Sequence, residues 1–145
     1  MTRQIKTLVA CVVLFLSGFV IGATAQNIAK SDTLEVQRVI SDQLSAFIKN
    51  DGARAYSHAA PSIKKMYPNP THFMAMVERG YGAIYRSTTY DFGRSKVENG
   101  NIYQELILTG ERGNTWESIY ALSKQDDGSW KIMGVQMRRS ENSTL

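Results

Sequence analysis

This 145-residue chain has two histidines, His58 and His72, the residue type most used for acid–base and metal chemistry, so such chemistry is sought there first. Prolines separate them, and neither belongs to a His-x-x-x-His or His-Glu pair with metal-ligand spacing, so no metal is expected. The single cysteine, Cys11, lies in the N-terminal apolar run. Gly-x-Ser-x-Gly and the phosphate-binding glycine loops are absent, which removes the common nucleophile and nucleotide signatures. Carboxylates are the remaining route. One buried Asp or Glu beside a tyrosine donor is enough for proton transfer in an enclosed site. Asp91, between Tyr90 and Phe92, and Glu105, between Gln104 and Leu106, are the candidates, with His58 as a third base. The competing reading gives each carboxylate to solvent and His58 to the core edge.

Such groups work only where secondary structure aims them. Asp32-Thr33-Leu34-Glu35 has capping-box spacing, and Val36, Ile40, Leu44, Phe47 and Ile48 then recur at helical intervals. Asn50-Asp51-Gly52 stops that helix, and Asp51 caps a second over Ala53–Ala60 that ends before Pro61. A short turn passes Ile63 and Met66. Asn69-Pro70 then opens a third helix, whose left-handed C-cap is expected at Gly80.

From Ser87 the period changes to alternation. Asn99-Gly100, Gly110–Gly113 and Asp126-Asp127-Gly128 divide the remainder into strands near Ser87–Glu98, Asn101–Thr109, Thr115–Lys124 and Ser129–Arg138. Helices followed by an antiparallel four-stranded meander predict an α+β fold, with helices on one face of a curved sheet that encloses a cone. Aromatic and Met side chains suited to line it are Tyr56, Tyr81, Tyr103, Trp116, Tyr120 and Met133. With two or four residues in the last loop, Trp116, Tyr120, Leu122, Met133, Val135 and Met137 share one face. Ile119, Ala121, Trp130, Ile132, Gly134 and Gln136 share the other. Both faces then read as apolar, which predicts a homodimer through Ile119, Trp130, Ile132 and Gln136.

The N-terminus speaks to destination. Arg3 and Lys6 precede an apolar stretch from Leu8 to Ile21, and Ala23-Thr24-Ala25 places small residues where a signal peptidase reads. The expected cut lies between Ala25 and Gln26, with export to the periplasm or beyond. The alternative is an uncleaved anchor helix, for which about 20 apolar residues are needed. The expected organisation is a signal over 1–25, a flexible lead over 26–32, one cone domain over 33–138 and a polar tail over 139–145. The formal charge of +4 falls when Arg3 and Lys6 leave. It is too small and too evenly spread for a nucleic-acid or membrane-surface partner. No cofactor is expected.

A set of residues in order carries a resemblance. Asp42-Gln43-Leu44, Ala46-Phe47, Asp51, Ala55-Tyr56 and Ala59-Ala60-Pro61 open it, and Phe73, Met76-Val77, Gly80-Tyr81, Tyr85-Arg86 and Asp91-Phe92-Gly93 follow. Tyr120-Ala121-Leu122, Asp127-Gly128, Trp130-Lys131-Ile132 and Gly134 close it. The chain thereby resembles the bacterial domain-of-unknown-function 4864 family over nearly all of the expected mature region. The resemblance implies a cone similar to nuclear transport factor 2, of the ketosteroid isomerase-like and SnoaL-like kind. It supplies no catalytic residues. Three functions are therefore expected to compete: a cell-envelope module binding a small apolar ligand, an isomerase- or dehydratase-type enzyme, and a homodimeric interaction module.

Overall fold

The computed structural model describes residues 29–140. The expected signal, its cut at Ala25–Gln26 and the end of the expected tail lie outside these residues. The first helix, α1 (Lys30–Ile48), begins before the capping-box aspartate, so residues 30–32 of the expected lead are helical. Asp32 is no cap. Its carboxylate accepts from Lys124 Nζ at 3.0 Å and from the Trp130 indole at 3.2 Å, tying the helix start to the last hairpin. Of the expected apolar stripe of α1, Val36, Ile40, Leu44 and Phe47 are buried while Ile48 is exposed, and burial of each Leu, Ile or Phe contributes roughly 1.5–3 kcal/mol. Asn50 ends the helix in the left-handed region, at φ 54°. Its N–H reaches the Phe47 carbonyl and that of Asp51 reaches Ala46, the paired bonds of a Schellman stop.

Asp51 then caps α2 (Gly52–Ser57) by accepting from the Arg54 N–H at 3.0 Å. This helix is shorter than expected, because His58–Ala60 leave it to bond the sheet. The expected turn at Ile63 and Met66 is a helix, α3 (Pro61–Met66), started by a proline whose φ is already helical. Asn69 caps α4 (Pro70–Gly80) through the His72 N–H at 3.0 Å. Gly80 is not a left-handed cap; it stays in the helix and Tyr81 ends it before the short α5 (Gly82–Tyr85).

The sheet is a four-stranded antiparallel meander in the order β1 (Thr89–Glu98), β2 (Asn101–Thr109), β3 (Thr115–Lys124), β4 (Trp130–Arg139). Asn99 and Gly100 both have positive φ, as the two-residue hairpin turn requires. Two bulges shape the sheet. In β1 the pairing shifts between Phe92 and Ser95. In β4 Met133 is the extra residue, since Leu122 faces Ile132 while Ala121 faces Gly134.

The β4 bulge corrects the expected faces. The last loop has three residues, 126–128, closed by Gln125 N–H to the Ser129 carbonyl, with Gly128 at φ +83°. An odd loop reverses the alternation, and Met133 restores it further on. Trp130 and Ile132 therefore share the inner face with Tyr120, Leu122, Val135 and Met137, and each is only 5% exposed. The outer face is not broadly apolar either. Its middle rows run Asp91–Ile107–Glu117–Arg138 and Glu105–Ile119–Gln136.

Helices cover the inner face. Phe47 and Phe73 stack at 6.3 Å between α1 and α4, and Tyr56 of α2 tilts onto Phe73 at 5.5 Å. On β2 the buried Gln104 is fully employed. Its amide donates to the carbonyls of Gly93 and Glu105, and its oxygen accepts from Gln37 and Ser95. It thereby secures the β1 bulge from inside.

Candidate functional site

Between the helices and the inner sheet face lies a cavity of about 70 Å³. Its floor is formed by buried residues, among them Phe47, Val77, Ile84, Tyr120 and Ile132, with Gln43 from α1. Half-buried Ile63, Met76, Tyr81, Gly134 and Val135 form the rim. Among the described residues the wall carries no Asp, Glu, His, Lys or Arg. Its polar groups are the phenols of Tyr81 and Tyr120 and the carboxamide of Gln43, which donates to the Ala55 carbonyl at 3.2 Å. Drug-sized sites span some 300–1,000 Å³. This cavity therefore suits a ligand of a few heavy atoms, or a slim one that projects past the rim.

The candidate bases do not reach it. Asp91 is exposed and paired across β2 with Ile107, on the outer face. Glu105 lies on the same face, where Arg94 grips it with Nη2 at 2.9 Å and its backbone N–H at 3.2 Å. The Arg94 guanidinium, then its N–H, holds this carboxyl below the usual range. His58 sits at the end of α2, outside the cavity lining. Its Nε2 lies 2.5 Å from an Asp42 oxygen, and the Asp42 carboxylate also binds Arg54. Hydrogen bonds from Arg54, then His58, hold Asp42 well below the ordinary aspartate value and outweigh its partial burial. This cluster ties α2 to α1. Among the described residues no three His, Cys, Asp or Glu side chains gather into a metal-binding group.

Of the expected lining residues, Tyr81 and Tyr120 stand on the cavity wall. Tyr56 is in the core but spends its hydroxyl on the Tyr67 carbonyl at 2.7 Å. Tyr103 pairs with Ala121 and Lys96 on the outer face. Trp116 flanks a separate edge groove beside Gly110 and Arg139, and Met133 is the bulge residue. Gln43 was missed, although a polar residue inside the apolar stripe of α1 is a sequence-level signal of a special position. Ile132, read as a dimer contact, is part of the floor.

The family model described as domain of unknown function (DUF4864) matches residues 29–145. The chain belongs to the DUF4864 family. An NTF-2 like protein of unknown function from Silicibacter pomeroyi DSS-3 superposes on this DUF4864 domain with a TM-score of 0.54 at 12% identity. The match covers 78% of this chain and 100% of that one, and it supports the NTF2-like α+β cone. No curated protein matches the chain. Among the described residues, no helix of the DUF4864 domain is long and apolar enough to cross a membrane.

Proposed function

We propose that this domain is a non-catalytic module of the cell envelope that binds a small apolar molecule in its cone. The observation that carries the reading is the cavity wall: apolar, opening at a rim, and free of the acids and bases that proton transfer demands. The isomerase or dehydratase reading asks Asp91, Glu105 or His58 to face that wall, but Asp91 and Glu105 lie on the outer sheet face and His58 is bound to Asp42. Benzene titrated into the protein provides the test, since dry apolar cavities take up such probes. Methyl NMR shifts are expected at Val77, Ile84, Ile132 and Val135. Absence of shifts, or shifts elsewhere, overturns the reading. The envelope location rests on Arg3, Lys6, the apolar run and Ala23-Thr24-Ala25. Intact-mass analysis should find an N-terminus at Gln26; a species retaining Met1 in the membrane fraction favours the anchor.

A second reading is self-association through the outer sheet face. Ile107 and Ile119 are 48% and 42% exposed on adjacent central strands. The ion pairs Arg94–Glu105 and Glu117–Arg138 flank them. The face thus carries both signs of charge around an apolar centre, and a second copy turned through a twofold axis complements it. Ile119 and Gln136 keep their expected place on this face, and Ile107 stands in for Trp130 and Ile132, which lie inside.

A further inference from the structure

Among the described residues two buried hydroxyls lack a hydrogen-bond partner, those of Ser87, just before β1, and Tyr120, and of the two Tyr120 belongs to the cavity wall. Tyr120, at the middle of β3, is fully buried and lines the cavity. Its hydroxyl has no hydrogen-bond partner among the described residues. Buried polar groups are nearly always paired, and an orphan on a cavity wall asks for an explanation. The neighbouring chemistry sharpens the contrast. Tyr56 spends its phenol on the Tyr67 carbonyl, Gln104 uses both ends of its amide, and Ser118 donates to the Leu106 carbonyl. The inner face therefore satisfies its other large polar side chains from within.

We infer that the cone's ligand carries one uncharged hydrogen-bonding oxygen, of the carbonyl or hydroxyl class, which accepts the Tyr120 O–H from within a slim apolar body. This inference rests on the binding reading above and adds the chemical class of the ligand. Three features of the wall support it. The wall has no cationic side chain, so a carboxylate or phosphate entering it is stripped of water without compensation. It has no carboxylate either, which disfavours ammonium groups in the same way. Burial raises the Tyr120 pKa, so the phenol keeps its proton and stays a donor. The volume of about 70 Å³ limits the enclosed part to a few heavy atoms. A longer chain leaves between Ile63, Met76, Tyr81 and Val135, which form the rim. Gln43 gives its N–H to the Ala55 carbonyl, so its amide oxygen can serve a ligand hydroxyl that also donates.

The test uses three probes of similar size: 2-pentanone, its alkene isostere 2-methylpent-1-ene, and pentanoate. Each is titrated into the wild-type chain and into Tyr120→Phe at neutral pH, with affinity read from NMR shifts. The ketone and the alkene are expected to bind the wild type, and pentanoate is not. Tyr120→Phe should weaken the ketone about fivefold, the worth of one net hydrogen bond, and leave the alkene unchanged. The variant should melt at the same temperature as the wild type or higher, because it removes an unsatisfied group. If ketone and alkene both bind and the variant moves neither, the Tyr120 assignment fails while the apolar-cavity reading stands. Binding of pentanoate, or a lower melting temperature for Tyr120→Phe, also overturns it, the latter by showing a partner within the chain. If neither neutral probe binds either protein, the cavity reading itself fails and the ligand class falls with it.

Discussion

A charged residue in this domain matters mainly by what it fastens. Asp42 is the clearest case, since one carboxylate holds Arg54 and His58 and so joins α1 to the end of α2. Those hydrogen bonds lower its pKa from the ordinary 3.8, which means the folded state binds the proton less readily than the unfolded chain. The stabilisation is therefore complete above about pH 4 and is lost as the pH falls toward the depressed folded value. Asp32, with Lys124 and Trp130 as partners, and Glu105, with Arg94, are shifted in the same direction. Acid melting curves should thus fall steeply below pH 4. Asp42→Asn should lower the melting temperature at pH 7 and flatten that fall, because the variant has no proton to gain. Equal acid slopes for variant and wild type would assign the fall to the other carboxylates. Tyr120 differs from all of these: it is the buried residue on the cavity wall whose polar atom fastens nothing.

At the scale of elements, legibility followed the range of the physics involved. Local signals read well: Asp51 and Asn69 cap the helices expected of them, and Asn99-Gly100 makes its turn. The order and antiparallel pairing of the strands also follow from hairpin chemistry alone. The failures came where a distant contact outbid a local one. Asp32 had the spacing of a cap but serves Lys124 and Trp130 across the fold. Ala59 and Ala60 had helical neighbours but pair instead with Ile132. The largest error turned on parity. One loop of three residues exchanged the faces of Trp130 and Ile132, and one bulged methionine exchanged them back for Val135 and Met137. Alternation along a strand cannot reveal either, because each changes the count by a single residue. The candidate bases failed for a related reason. The paired register carries Asp91 and Glu105 to the outer face, and α1 supplied a partner for His58 that spacing did not suggest.

At the scale of the whole molecule, one covered sheet face and one open one set the available interactions. The covered face holds the cone, and the open face presents Ile107 and Ile119 within a charged frame. If two copies meet there, sedimentation at micromolar protein should give a dimer. Ile119→Glu should return it to a monomer with little change in melting temperature, since exposed substitutions usually alter stability by about 0.5 kcal/mol or less. A wild-type monomer at that concentration ends the proposal. The edges of the sheet tell a different story. Along β4, the His58 carbonyl and the Ala60 N–H occupy both backbone groups of Ile132, at 2.9 and 2.8 Å, and the Lys131 ammonium reaches back to Ser57. Along β1, the pairing shift around Gly93 and Arg94 breaks the edge, and Lys96 and Glu98 charge the rest. An unguarded strand edge is a template on which further chains add, and its end product is a fibril. This chain blocks one such template with its own backbone and roughens the other with a bulge and charge. Loosening His58–Ala60 would therefore uncover that edge at Ile132 and threaten solubility as well as the cavity wall, to which Ala59 belongs.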